Sequence, residues 1–126
     1  MNENVKCPFC DIDYMKTWCE NSDAVAILDE FPVSRGHTLV VPRRHVSNYF
    51  ELTEKEQMNM WILVNKVKGF LDSFYEPDGY NVGINIGETA GQSVPHVHIH
   101  IIPRYKGDVA NPRGGVRGVI PSKQNY

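Results

Sequence analysis

Between Gly91 and Arg104 the chain reads Gly-Gln-Ser-Val-Pro-His-Val-His-Ile-His-Ile-Ile-Pro-Arg. His96, His98 and His100 alternate with Val97, Ile99 and Ile101. Strict alternation of polar and β-branched residues predicts a strand with one buried face. It sets the three imidazoles on one side, about 7 Å from each to the next, and turns the valine and isoleucines into a core. Three of the five histidines in the protein therefore share one short platform, and any fold for this chain must bury one side of it. The plain alternative is a polar strand face that happens to use histidine.

A chain of 126 residues predicts one domain over 1–126 with a single core. The formal charge of -2 gives no global attraction to nucleic acid or to an anionic membrane, so neither is expected as a partner. The opening Met-Asn-Glu-Asn-Val-Lys is polar with no apolar signal core, and the apolar run at Trp61–Val64 is far too short to span a bilayer. The expectation is a cytoplasmic protein with reduced thiols. Cys7 and Cys10 form a Cys-x-x-Cys pair that can put two sulfurs on one ion, with Pro8 favouring the turn. Alone the pair is half a site: a zinc knuckle, a redox pair or chance. A redox pair wants a preceding strand, which is missing here, and histidines are the obvious source of two further ligands. Cys19 has no partner at metal spacing and is expected in or near the core.

Two strands, Tyr14–Glu20 and Ala24–Asp29, flank a turn at Asn21-Ser22-Asp23 and predict a hairpin. A third strand, Gly36–Pro42, leads into a loop with Arg43, Arg44 and His45; the two arginines read as a phosphate patch or as solvated side chains. Thr53 with Glu56 is a capping box opening one long helix to about Tyr75, stopped by Pro77 and Gly79. Met60, Leu63, Val64, Val67, Phe70, Leu71 and Phe74 make its core stripe. Met58, Trp61 and Ile62 fall off that stripe, on a polar face with Gly69, and point to a homodimer contact.

Tyr80–Ile86 alternates cleanly, with Val82, Ile84 and Ile86 inward. Paired with the histidine strand through the Gly87–Gly91 turn, it places Asn85 on the histidine face. The glycine-rich backbone ahead of Gln92 and Ser93 can aim N–H groups at an anion. Beyond Pro103 the chain becomes irregular and basic, +4 over the tail against -6 for the remainder. The stretch Asn111–Gly115 cannot be regular structure. Residues 107–126 are thus either a solvated tail or a flap near bound phosphates.

Taken together, His96–Ile102 preceded by Gly91-Gln92-Ser93, and Gly36–Pro42 upstream, resemble the histidine-triad (HIT) nucleotide hydrolases and transferases. The resemblance runs from about Cys7 to Tyr105. It implies an α+β fold, a five-stranded antiparallel sheet carrying one long helix, and a homodimer. It also implies that His98 is a nucleophile toward the α-phosphorus of a nucleoside 5′-phosphate derivative, through a nucleotidyl-histidine that water resolves to a monophosphate. A neutral imidazole, reference pKa about 6.5, is competent for this near neutral pH. His100, Gln92 and Ser93 would stabilise phosphoryl charge or the leaving group, Asn85 would hold a phosphate oxygen, and Asp29 stands where a ribose-binding acid falls. Some members hold a structural zinc at positions matching Cys7, Cys10, His45 and His96; no organic cofactor is implied.

Two rival classes stand beside this reading. A metalloenzyme would use the three triad histidines as ligands, but one strand spreads them too far apart to close on one ion. A non-catalytic nucleotide-binding module is the other. Among substrates, the arginines after the histidine strand, Arg113 and Arg117 above all, favour a dinucleoside polyphosphate such as diadenosine tetraphosphate. A purine nucleoside phosphoramidate or adenylyl transfer is the alternative.

Overall fold

A computed structural model describes residues 7–126; the polar opening segment 1–6 lies outside the described residues. Five strands, β1 (Thr17–Glu20), β2 (Ala24–Leu28), β3 (Thr38–Pro42), β4 (Gly79–Ile84) and β5 (Ile99–Arg104), form one sheet in the order β1-β2-β3-β5-β4. Every neighbouring pair is antiparallel. The helix α1 (Glu54–Tyr75) packs across one face. The expected α+β architecture is what the chain adopts.

The β1–β2 hairpin closes as its turn residues dictate, with the Asn21 side chain accepting from the N–H groups of Asp23 and Ala24. β1 is shorter than the alternation predicts. Tyr14–Lys16 is a 3-10 turn instead, because the Asp13 carboxylate accepts from Met15 N and caps it. The histidine strand is also shorter than expected, its ladder starting at Ile99. His96 to His98 continue the alternation just before it, but Val97 N donates to Val46 O, so this part pairs with the loop after β3 rather than with β3 itself. Val97, Ile99 and Ile101 still point inward, all nearly without exposure.

Of the helix stripe, Met60, Leu63, Val67 and Leu71 are fully buried against Ala24, Ala26, Val40 and Ile99. Cys19 packs at the margin of this core. Phe70 and Phe74 do not join it. They extend over the edge strand, where the Trp18 ring stacks on Phe70 at 5.6 Å and leans on Phe74 at 5.3 Å. Helix α1 ends at Glu76 in the left-handed region (φ 50), and Gly79 already belongs to β4. The opposite face of the sheet has its own small core of Val25, Leu39 and Val41, covered by Phe9, Ile12 and Ile27. Both faces of β3 are therefore buried, which its unbroken Leu-Val-Val run reflects.

Arg43 and Arg44 are not a free phosphate patch. Arg43 holds Asn21 O and pairs with Glu20, while Arg44 forks onto Glu56 at 2.9 and 3.1 Å. Glu56 also completes the capping box with Thr53. Hydrogen bonds from Arg44, then from the Thr53 backbone, pull its carboxyl down to about 2. A depressed carboxyl contributes stability above its unfolded value, and that contribution fades as pH falls toward 2. Urea unfolding of Thr53→Ala should show a loss of about 1 kcal/mol at neutral pH. Glu56→Gln should lose stability at neutral pH and show a flatter decline between pH 4.5 and 2 than the parent; an unchanged slope would contradict this account of the cap.

Candidate functional site

On the face away from α1, a cavity of about 430 Å³ opens between the N-terminal segment and the sheet. That is the size range of small-molecule sites. Its apolar lining is Phe9, Ile12, Ile27, Leu28 and Leu39; its polar lining includes Asp29, His37, Asn85, Ser93, His98 and His100. His98 Nδ1 lies 2.8 Å from the carbonyl oxygen of His96. A carbonyl only accepts, so the ring proton sits on Nδ1 and the lone pair is on Nε2. Nε2 makes no hydrogen bond among the described residues. The geometry presents a nitrogen with an unshared pair and a fixed tautomer on a cavity-lining ring.

A second chain of bonds sets His100. Val33 N donates to His37 Nδ1 at 3.2 Å, so a neutral His37 carries its proton on Nε2. That nitrogen faces His100 Nδ1 at 3.0 Å and Asp29 Oδ2 at 3.5 Å. His100 Nδ1 is thus the acceptor, and its own N–H is on Nε2. Burial, then the neighbouring His98 and His37, lower the His100 pKa to about 4, so the ring is neutral near pH 7. Burial likewise lowers His37, against the opposing pull of Asp29. Asp29, His37 and His100 bring their donor atoms close enough for an ion. Coordination through His37 Nε2 would move its proton to Nδ1, directly against the Val33 N–H. The Val33 contact therefore favours a proton chain here over a metal centre.

The other cluster is of a different kind. Cys7, Cys10, His45 and His96 bring two sulfurs and two ring nitrogens within 4.8 Å of one another. Contacts are 3.3 Å for Cys7 Sγ–His96 Nδ1, 3.2 Å for Cys10 Sγ–His45 Nδ1 and 3.1 Å for His45 Nδ1–His96 Nδ1. Zinc at about 2.3 Å from sulfur and 2.0 Å from nitrogen makes tetrahedral edges of roughly 3.3–3.8 Å, so the set, slightly contracted from those edges, fits. His96 Nε2 donates to Pro42 O at 2.8 Å, which leaves Nδ1 bare and aimed at the other three donors. Burial lowers the His96 pKa and keeps it neutral, as a ligand must be.

Several expected residues are elsewhere. Gln92 does not line the cavity, because its amide joins Gly87 N to the Ser47 and Val94 carbonyls and so braces the loop. Gly91, at φ 95, stands against the Asn85 amide without lining the cavity itself. Arg113 and Arg117 also lie outside it: both guanidiniums lie over the Tyr126 ring, at 5.3 and 4.4 Å. Arg104, the first of these tail charges, is held by Asp108 and Asn81. Three residues with no role assigned from sequence matter here. His37 sets the His100 tautomer, Lys16 sits on the rim 3.9 Å from Glu30, and Phe9 places its ring 5.0 Å from that of His98. His37 had a signal in lying beside the Gly36 turn, but its partner depends on the β3–β5 register, which pairs Leu39 with His100.

Known proteins share the sequence pattern and the fold of this chain. A HIT domain model matches residues 14–107. The Protein hit of Bacillus subtilis is 43% identical over 108 residues, 81% of this chain and 74% of its own length. The asymmetrical bis(5′-nucleosyl)-tetraphosphatase of Schizosaccharomyces pombe is 40% identical over 85 residues, 68% of this chain but 47% of its own. Among solved structures, a HIT family protein from Bacillus anthracis aligns at TM-score 0.74 and 34% identity, covering 84% of this chain and 77% of its own. A zinc-bound histidine triad family protein from Mycobacterium smegmatis aligns at 0.69 and 31%, covering 75% and 69%. With the histidine strand, the cavity and these matches in agreement, the chain belongs to the HIT family.

Proposed function

We propose that this chain is a nucleotide hydrolase that cleaves dinucleoside polyphosphates at the α-phosphorus, with His98 as nucleophile. The observation that carries the reading is the His98 Nδ1–H bond to His96 O, which directs an unshared pair from Nε2. The apolar side chains of the cavity take the base, Asp29 the ribose hydroxyls, and Asn85 and Ser93 the phosphate oxygens. His98 Nε2 bonds to phosphorus as the P–O bond to the remaining phosphates breaks. Water then attacks phosphorus, the N–P bond returns its pair to Nε2, and the water proton passes to phosphate oxygen and solvent. The product of this half is a nucleoside monophosphate.

His100 decides between leaving groups. It offers an N–H from a neutral ring, since His37 already donates to its other nitrogen. Such a group stabilises a departing phosphate anion by a hydrogen bond. It is a poor source of the full proton that an amine needs to leave, so the polyphosphate is preferred over the phosphoramidate. The name of the fission yeast relative points the same way.

Cys7, Cys10, His45 and His96 would hold a structural zinc, with no open position for substrate. When bound, it supplies a cross-link between the N-terminal segment and the residue that orients His98. The reduced thiols it needs fit a cytoplasmic setting. The functional unit is a homodimer through α1, where Met58, Trp61 and Ile62 remain 64%, 39% and 41% exposed in one chain. Among the described residues no helix is long and apolar enough to cross a membrane.

Three measurements test this. His98→Ala should lower kcat on diadenosine tetraphosphate by more than a thousandfold while the melting temperature barely moves; activity within tenfold of the parent would end the covalent reading. Elemental analysis of protein purified without added metal should find one zinc per chain, lost together with thermal stability in Cys7→Ser, and a stable zinc-free parent would refute the centre. Sedimentation should show a dimer that Trp61→Glu converts to monomer; a monomeric parent removes that face from consideration.

A further inference from the structure

A groove of about 460 Å³ lies on the same face of the sheet as the cavity, beyond His100 along β5. Its floor is Ile102 and Arg104 with Asn81 of β4, which pairs with Ile102 across the ladder. Its far wall is the tail, through Pro112, Gly115 and Gln124. Val33 lines both spaces, so the groove continues the cavity. From His98, which would carry the phosphorus, to Ile102 on the groove floor is four residues of strand, about 13 Å. That is beyond one nucleoside monophosphate and within reach of two nucleosides joined by a short phosphate chain.

The tail is shaped for this. Residues after 107, which form the wall, fall outside the HIT domain match. The chain folds back at Gly114, φ 91, where a Cβ would overlap Gln124 O. Gly115 lies against Asn81, with room for a Cβ only 3.4 Å from its Nδ2. Arg104 is neutralised by Asp108 at 2.7 and 2.8 Å, so the groove floor is not a phosphate site. Asn81 Oδ1 is used by Arg104 and Gln124 Nε2 by Arg113 O. Asn81 Nδ2 and Gln124 Oε1 make no hydrogen bond among the described residues. One donor and one acceptor beside the apolar Val33, Ile102 and Pro112 match a flat base with a polar edge.

We propose that this groove is a second nucleoside subsite, holding the leaving half of a dinucleoside polyphosphate. It rests on the hydrolase reading above for the position of the first nucleoside and of the phosphates.

The test uses the full chain and two non-hydrolysable ligands in which every α,β bridging oxygen is replaced by methylene. One is a diadenosine tetraphosphate analogue; the other is adenosine 5′-tetraphosphate, which has the same phosphate chain without the second nucleoside. Calorimetric titration should show the first binding at least tenfold tighter. Asn81→Ala and Gln124→Ala should each bring the two affinities within about twofold, and the Gln124 variant leaves the Arg104 bond to Asn81 in place. Equal affinities in the parent, or a tenfold preference kept in both variants, overturns the subsite. Turnover by the parent and by His98→Ala is measured separately. Preferential binding without histidine-dependent turnover keeps the subsite and sinks the hydrolase reading, while turnover without preference does the reverse.

Discussion

The site depends on how His96 is held. Its ring donates from Nε2 to Pro42 O at the end of β3, which fixes the ring and bares Nδ1 toward Cys7, Cys10 and His45. Its main-chain carbonyl takes the Nδ1 proton of His98 and so chooses the nitrogen that faces the cavity. One residue therefore joins a strand end, a candidate metal centre and the tautomer of the proposed nucleophile. The knuckle Cys7-Pro8-Phe9-Cys10 adds a second link, because Pro8 and Phe9 line the cavity between the two candidate ligands. Phe9 also meets the His96 ring edge-on at 5.9 Å. Loosening the cluster would thus disturb the wall of the cavity as well as the ring that reacts.

Electrostatics in this cavity work through neutral rings. Burial lowers His37, His96 and His100 alike, so three imidazoles avoid mutual repulsion by staying uncharged. Backbone groups then decide each tautomer: Val33 N–H for His37, the Pro42 carbonyl for His96 and the His96 carbonyl for His98. Backbone positions are set by the sheet and its loops, so the site is prearranged before any ligand arrives. What these bonds preset is a lone pair on His98 Nε2 and a proton on His100 Nε2.

Much of this was legible beforehand, for a physical reason. Alternation with period two reports burial on one face directly, so the histidine platform and the Val97, Ile99 and Ile101 core could be read from residue types alone. The capping box fixed the start of α1, and local side-chain bonds at Asn21 fixed the hairpin, since both use partners within a few residues. A local bond also shortens β1, since Asp13 turns Tyr14–Lys16 into a 3-10 turn, while β5 is shortened by the Val97–Val46 bond, whose partners are far apart in the chain.

What remained closed to sequence depends on distance in space. The tail arginines have the charge and order of phosphate ligands, yet both guanidiniums lie over the Tyr126 ring and outside the cavity. Gln92 looked free and is consumed by three backbone partners. The pairing of His37 with His100 needs the β3–β5 register, whereas the meeting of Cys7 with His96 across 89 residues was expected, though from the family resemblance and not from spacing. Sequence by itself determined the element types, the faces and the chemical groups on offer, because these follow from local periodicity and side-chain chemistry. Tertiary structure alone decided which nitrogen carries each proton and which charges stay free, because those choices are made by partners brought together from distant parts of the chain.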